Sequence, residues 1–266
     1  MLLKNLKYIL LVIFIGLILF GLLINYNNSK YTKSEFLLNT YVSISAYGPK
    51  ASKACALAIE EVRRVESLMS AHLPDSDITR INEHAYNNAV VVSQETFDII
   101  QKSIEFSRYS EGAFDITTKP LSDLYSINTT NAKIPTDTEL SEALMSIGYE
   151  NLILNPTDKS ITFAKKGMAI DLGGIAKGYA ADLAAKVLND MGLTGIVDLG
   201  GDIVVCGNRP ASALELIFSI FKKPAAHWTI GIQKPFAVQG EAALKVKVDS
   251  GSTVVSSGSY ERNFTV

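Results

Sequence analysis

Residues 170–188 read IDLGGIAKGYAADLAAKVL, and the reading of this stretch decides the rest of the chain. An acid, Asp171, ends a short apolar run. Gly173 and Gly174 make a turn, and a helix opens at about Ile175, continues to Met191 and stops at Gly192. Eight of the 18 glycines lie between Asp171 and Gly207, so the backbone there must turn tightly or approach a ligand. Helix N-terminal amides with Lys177 one turn in would suit a phosphate. A plain strand-to-helix turn carrying a solvated lysine accounts for the same residues. The stretch matches neither GxxxxGK[ST] nor GxGxxG, so it is neither a P-loop nor a dinucleotide-binding fingerprint of the doubly wound kind.

Working outward, short apolar runs read as strands at Asn151–Leu154, Ile161–Ala164 and Met168–Asp171 before the helix. Others follow at Ile196–Leu199, Ile203–Cys206, Trp228–Gln233 and Leu244–Val248. Thr136 and Glu139 form a capping box that opens a short helix ended by Gly148. Ser93 to Tyr109 reads as a helix with Phe97, Ile100 and Ile104 inward. Ala51 to Met69 reads as another, with Ala58, Val62, Val65 and Met69 as its apolar stripe. Phe36 to Tyr47 alternates as a single strand after a polar linker at 31–34. Helices and strands are interspersed without a βαβ rhythm, which predicts an α+β fold with mixed or antiparallel sheets and packed helices.

The 266 residues are 47% hydrophobic and carry 25 basic against 27 acidic side chains, which disfavours disorder and nucleic-acid binding. Two cysteines, Cys55 and Cys206, make neither a disulfide framework nor a CxxC zinc site. The charge is uneven: residues 1–30 hold Lys4, Lys7 and Lys30 and no acid. Tyr8 to Ile24 is an unbroken run of 17 apolar residues, about 26 Å of helix at 1.5 Å per residue. It reads as one N-terminal transmembrane helix, with a cleaved signal peptide as the competing reading. Lys4 and Lys7 precede it, placing the N-terminus in the cytoplasm and the rest outside the cytoplasmic membrane. The domain expectation is therefore an anchor or uncleaved signal at 1–30 and one folded domain at 31–266.

Two further clusters concentrate hydrogen-bonding groups. Residues 69–82, MSAHLPDSDITRIN, follow an apolar helix and read most simply as a loop, with Asp75 or Ser76 starting a short helix. Residues 112–121, GAFDITTKPL, place Asp115 and Thr117 two apart and read as the start of a strand with a turn at Lys119-Pro120. His72, His84 and His227 are scattered. No HExxH occurs, and no GxSxG, which disfavours a zinc protease and an α/β-hydrolase.

In order, LLNTYVSISAYG (37–48), MSAHLPDSDITRIN (69–82), GAFDITTKPLSDLY (112–125), IDLGGIAKGYAADLAAKVL (170–188), LGGDIVVCG (199–207), WTIGIQKP (228–235) and SSGSYERNF (256–264) resemble the ApbE family of FAD:protein FMN transferases. The resemblance implies a T-fold-like flavin transferase domain. It implies an Mg²⁺-dependent reaction in which FMN passes from FAD to a threonine hydroxyl of an acceptor protein and AMP leaves. It implies, as acceptor, a flavin-carrying subunit or domain of a membrane redox system. Residue by residue, Leu38, His72, Ala113, Phe114, Asp115, Asp171 and Lys177 match cofactor-contacting positions. Gly174 matches a residue whose backbone carbonyl ligates the metal. No catalytic side chain is implied among these residues.

The sequence departs from the family pattern in two places. Family members continue past the segment resembling 256–264 with a His-Ile-x-Asp-Pro stretch and an Asp/Thr pair of metal ligands. The expectation is therefore a domain incomplete at its C-terminal side. An inactive FAD-binding remnant, or a hydrolase giving FMN and AMP, stands as the alternative. Residues 208–227 are also longer than the family's turn and include an apolar stretch at 213–221, either a partner-binding insertion or scrambled sequence.

Overall fold

The first strand forms in the segment expected to be a linker. Lys30–Leu37 is β1, Thr40–Tyr47 is β2, and Leu38 and Asn39 turn between them at φ of 52° and 56°. The single strand expected over 36–47 is thus a hairpin. Alternation alone cannot reveal a two-residue turn whose residues are neither Gly nor Pro. Thr32 faces Ser45 and Ser34 faces Ser43 across it, hydroxyl to hydroxyl at 2.8 and 3.1 Å. This computed structural model describes residues 2–127, 129–212, 215–216, 227–238 and 240–258. The apolar stretch at 213–221 lies outside them except for 215–216, and the SSGSYERNF segment does so from 259 onward.

By internal contacts the chain divides into two compact units. The first comprises Met1–Phe36, Thr40–Glu60 and Ala181–Ser256, the second Leu37–Asn39, Glu61–Ala180 and Ser257–Val266. The observed fold is α+β with antiparallel sheets, as expected.

In the first unit, helix α1 (Leu2–Asn27) precedes β1. Thr194–Leu199 (β6), Asp202–Cys206 (β7) and Thr253–Val255 (β10) complete a five-stranded sheet ordered β1-β2-β6-β7-β10. The pairs β2/β6, β6/β7 and β7/β10 are antiparallel. Val42, Ile44 and Ala46 from β2 and Val197 and Leu199 from β6 are buried, as period-two alternation requires. A Cβ on Gly195 would sit 2.2 Å from the Ser45 carbonyl oxygen, so only glycine permits this approach of β6 to β2. The hairpin of Trp228–Gln233 (β8) and Ala242–Val248 (β9) forms a second, two-stranded sheet. Trp228 and Ile230 pack with Val205 and with Tyr47, whose ring centroid lies 5.9 Å from that of Trp228.

In the second unit, Val90–Val91 (β3), Leu152–Asn155 (β4) and Ser160–Phe163 (β5) make an antiparallel sheet ordered β3-β5-β4. Five helices accompany it. Ala51–Met69 (α2) starts in the first unit and places Val62, Val65 and Met69 in the core of the second. Asp77–His84 (α3) is capped by Ser76, whose hydroxyl accepts from Thr79 N at 2.9 Å. Gln94–Tyr109 (α4) is capped by Ser93. Lys119–Tyr125 (α5) follows a 3₁₀ turn at Ile116–Thr118. Asp137–Met145 (α6) carries the expected capping box.

Ala176–Asp190 (α7) begins in the second unit and continues into the first, within a residue of the expected bounds. Two expectations fail here. Lys119-Pro120 opens a helix rather than closing a turn after a strand start, because Pro fits the first helical turn, where its missing N–H costs nothing. Met168–Asp171 joins no sheet; its backbone is held instead by a side chain and a loop, described next.

Candidate functional site

The segment before the glycine turn takes its order from Asn82. The Asn82 side chain donates to the Ile170 carbonyl at 3.0 Å and accepts from the Ile170 amide at 2.7 Å. One amide thus serves both polar groups of one residue, as a neighbouring strand would. One residue on, the Asp171 amide donates to the Ile116 carbonyl at 2.9 Å, tying the glycine turn to the segment after Asp115. Ile170 and Leu172 point into the core, fully buried, and leave Asp171 half-buried between them.

The turn is closed by its own acid. Asp171 Oδ1 accepts from the Gly173 amide at 2.5 Å, and Ile175 and Ala176 donate back to the Leu172 carbonyl. Gly174 is exposed, and among the described residues its carbonyl accepts no backbone hydrogen bond. A Cβ at Gly174 would meet Phe114 Cε2 at 3.1 Å, so the Phe114 ring lies directly against the turn. Lys177 reaches back to the Gly173 carbonyl at 3.3 Å, which sets its ammonium beside the turn rather than away from it.

Phe114 is presented by a loop held by Ser110. The Ser110 hydroxyl accepts from the Phe114 amide at 2.9 Å and donates to the Ser107 carbonyl at 3.2 Å. Asp115 then closes the next turn. Its Oδ1 accepts from the Thr117 amide and the Thr117 hydroxyl, both at 2.7 Å, and its Oδ2 accepts from the Tyr149 amide at 3.0 Å. The buried Thr117 hydroxyl in turn accepts from the Gly148 amide at 2.8 Å.

Of the residues singled out from the sequence, Phe114, Asp171, Gly174 and Lys177 therefore gather at one turn. Ala113 and Asp115 flank Phe114, with Ala113 exposed. Leu38 sits in the β1–β2 turn, where its amide donates to Glu66 Oε1 at 2.7 Å. His72 is exposed in the loop after α2, its amide on the Ser70 hydroxyl at 3.2 Å. Among the described residues, no hydrogen bond or ion pair joins either of these two to the glycine turn.

Sequence reasoning missed the groups that brace α7. Tyr179 donates its hydroxyl to Glu95 Oε1 at 2.5 Å. Arg64 pairs with both Glu95 and Glu61. The Arg64 guanidinium holds the Glu95 carboxyl below its usual range, and Glu95 holds Arg64 firmly protonated. Burial, with the Glu95 carboxylate beside it, pushes the Tyr179 phenol up to about 12. Tyr179 lies inside the motif quoted above, but Arg64 and Glu95 are 31 residues apart and leave no local signal.

Among the described residues, no group of three or more His, Cys, Asp or Glu could hold a metal ion. Burial pushes the Cys206 thiol up to about 11, and Cys55 is raised for the same reason. Neither thiol is a nucleophile at neutral pH.

The ApbE family model matches residues 38–266. The chain belongs to the ApbE family. It is 30% identical over 248 residues to an FAD:protein FMN transferase of Treponema pallidum, covering 88% of this chain and 66% of that protein. It is 28% identical to one of Klebsiella pneumoniae, covering 90% of this chain and 69% of that protein. The chain thus spans about two thirds of the length of these ApbE relatives. Its fold is similar to that of the ApbE protein of Thermotoga maritima, with a TM-score of 0.77 and 31% identity over 90% of this chain and 73% of that one. The flavin transferase ApbE of Vibrio cholerae, at 23% identity, shares the fold with a TM-score of 0.71, covering 87% of this chain and 72% of that one.

Proposed function

We propose that this chain is an FAD:protein FMN transferase. The observation that carries the reading is the convergence of Phe114, Asp171, Gly174 and Lys177 on one turn at the start of α7. Membership of a family whose relatives are named for this reaction supports it. In the reaction, a threonine oxygen of the acceptor bonds to the flavin-side phosphorus of FAD. The pyrophosphate P–O bond breaks, AMP leaves, and the hydroxyl proton passes to solvent or a base. Such a transfer asks the protein mainly to position groups and offset charge.

The chain's own groups suit those tasks. The Lys177 ammonium, held beside the exposed glycine turn, would offset the charge of a pyrophosphate there. Leu38, His72 and the segment Ala113–Asp115 belong to the same FAD-binding reading. An Mg²⁺ ion would offset phosphate charge during the transfer. The Gly174 carbonyl is one oxygen ligand open to it, and donor phosphates and water would supply most of the rest. We assign residues 1–30 as a membrane anchor and 31–266 as the transferase domain, lying outside the cytoplasmic membrane. In support, α1 contains an 18-residue window of mean hydropathy 2.3, none of it buried. The acceptor would be a flavin-carrying subunit or domain of a membrane redox system.

The test is incubation of the purified chain with FAD, Mg²⁺ and an acceptor protein, read by mass spectrometry. A gain of one FMN on the acceptor supports the reading. AMP release without that gain marks hydrolysis instead. No turnover beside an active relative rejects it.

A further inference from the structure

The outer face of the β1–β2 hairpin ends in two open aromatic side chains. Phe36 is 66% exposed and Tyr41 is 64% exposed. The two-residue turn at Leu38-Asn39 sets Leu37 opposite Thr40 and so Phe36 opposite Tyr41, in step with the Thr32–Ser45 and Ser34–Ser43 pairs behind them. Asp198 of β6 is the in-register neighbour of Ser43 on that face. Along β2 the face is covered progressively: Ser43 is half-buried, Ser45 is buried, and Tyr47 packs against Trp228. The β8–β9 hairpin thus covers one end of the face and leaves the Phe36–Tyr41 end open. The turn between the two rings is held at a cost. Leu38 and Asn39 both have positive φ, where a bulky residue such as leucine is unfavourable. Glu66 Oε1 holds the Leu38 amide there. Strain kept in this way marks functional places.

We propose that the Phe36–Tyr41 face is where the acceptor protein docks, through an extended, uncharged segment beside the threonine it presents. This rests on the transferase reading above and deepens it. The second substrate of that reaction is a protein, and it needs ground beside the donor. Phe36 lies two residues before Leu38 and Tyr41 three after it, and Leu38 belongs to the FAD-binding reading. The face itself does not suit the donor. Ser34, Phe36, Tyr41 and Ser43 bring no cation, and the Asp198 carboxylate would repel a pyrophosphate. Aromatic rings among uncharged groups are what protein interfaces concentrate at their centres. β1 is also the edge of its sheet, which lets an extended segment pair with its main chain.

The experiment uses the full chain in detergent and a flavin-carrying redox subunit that an active relative modifies. Phe36→Thr and Tyr41→Thr keep a β-branched residue in each strand, so the hairpin should survive. Each should weaken the calorimetric affinity for that subunit about tenfold and raise its KM for FMN transfer by a similar factor. Tyr41→Phe keeps the ring and should bind as the parent does. FAD affinity and Tm should stay parent-like in all three variants.

Parent-like affinity for the subunit in both threonine variants, or failure of the parent to bind it, overturns the docking face and leaves the transferase reading standing. A matching loss of FAD affinity gives the rings to the donor and overturns the face too. So does a parent dimer, seen by sedimentation, that both substitutions dissolve, since a second copy then occupies it. No FMN transfer by the parent beside the active relative rejects the transferase reading instead, and the affinities still decide the face.

Discussion

Two aspartates in similar local turns have different partners. Asp115 and Asp171 each accept the amide of the residue two positions on, at 2.7 and 2.5 Å. There the likeness ends. Asp115 also accepts the Thr117 hydroxyl and the Tyr149 amide, across 34 residues of sequence, so both its oxygens are engaged by the fold. Among the described residues Asp171 holds only its own turn, and the long-range anchoring of that segment comes from Asn82 and the Ile116 carbonyl. A carboxylate whose acceptor capacity is used by distant backbone has a structural task, whatever its motif adds. One whose turn is anchored by other groups keeps capacity for a ligand.

The largest test of that contrast is Asp115→Ala. It strands the Tyr149 amide and the buried Thr117 hydroxyl, and should cost about 3 kcal/mol of stability. Urea denaturation followed by circular dichroism measures it, and a loss below about 1 kcal/mol would break the contrast. Asn82→Ala should come next, at about 2 kcal/mol, because it leaves the Ile170 amide and carbonyl without partners in a part-buried place. Asp171→Asn keeps an oxygen for the Gly173 amide and should change stability by less than about 0.5 kcal/mol. The same change should weaken FAD binding roughly tenfold, near 1.4 kcal/mol, if the carboxylate takes a donor hydroxyl or a cation. Unchanged or tighter binding in a fluorescence titration would leave Asp171 with its turn alone.

The two aspartates also mark the limit of what the sequence made legible. Helices were read well where apolar periodicity and caps coincide: Ala51–Met69, the Thr136 capping box and α7 fall within a residue of expectation. In the main sheet, alternation marks β2 and short apolar runs mark β6 and β7, whereas β1 lies partly in the expected linker and β10 has no counterpart among the expected strands. The hairpin turn at Leu38-Asn39 was not legible, since its left-handed residues carry no glycine signal. Nor was the loss of a strand at 168–171, because a side-chain amide there replaces a sheet neighbour and apolar runs look alike in both cases. The resemblance named Asp115 and Asp171 in the same terms. Only the hydrogen bonds from residue 149 to the first and from residue 82 beside the second separate them. Such pairings depend on three-dimensional proximity, which no local pattern encodes.

The smallest effect concerns why the Asp171 turn holds its place without help from Asp171. Tyr179, one turn into α7, is bound to Glu95, and Glu95 to Arg64. Tyr179→Phe removes one hydrogen bond to a half-buried carboxylate and should cost about 1 kcal/mol at neutral pH. Its pH dependence carries a distinct signature. The Tyr179 phenol is raised in the folded protein to about 12 from an ordinary value near 10. The unfolded chain therefore releases its proton first, and this part of the stability is complete below about pH 10 and lost as pH rises toward 12. The gap between parent and Tyr179→Phe should accordingly narrow above pH 10, while other tyrosines cancel in the difference.

At acid pH the sign reverses. Glu95 is held down chiefly by Arg64, so its contribution is present above its unfolded value of about 4.5 and lost as pH falls through the lower folded value. Arg64 is untouched by the substitution, so the variant should keep that acid limb. Urea titrations from pH 3 to 11.5 would show it. A gap that stays constant at alkaline pH would mean that Tyr179 is not held by Glu95 in solution, and the turn would then owe its position to Asn82 and the Ile116 carbonyl.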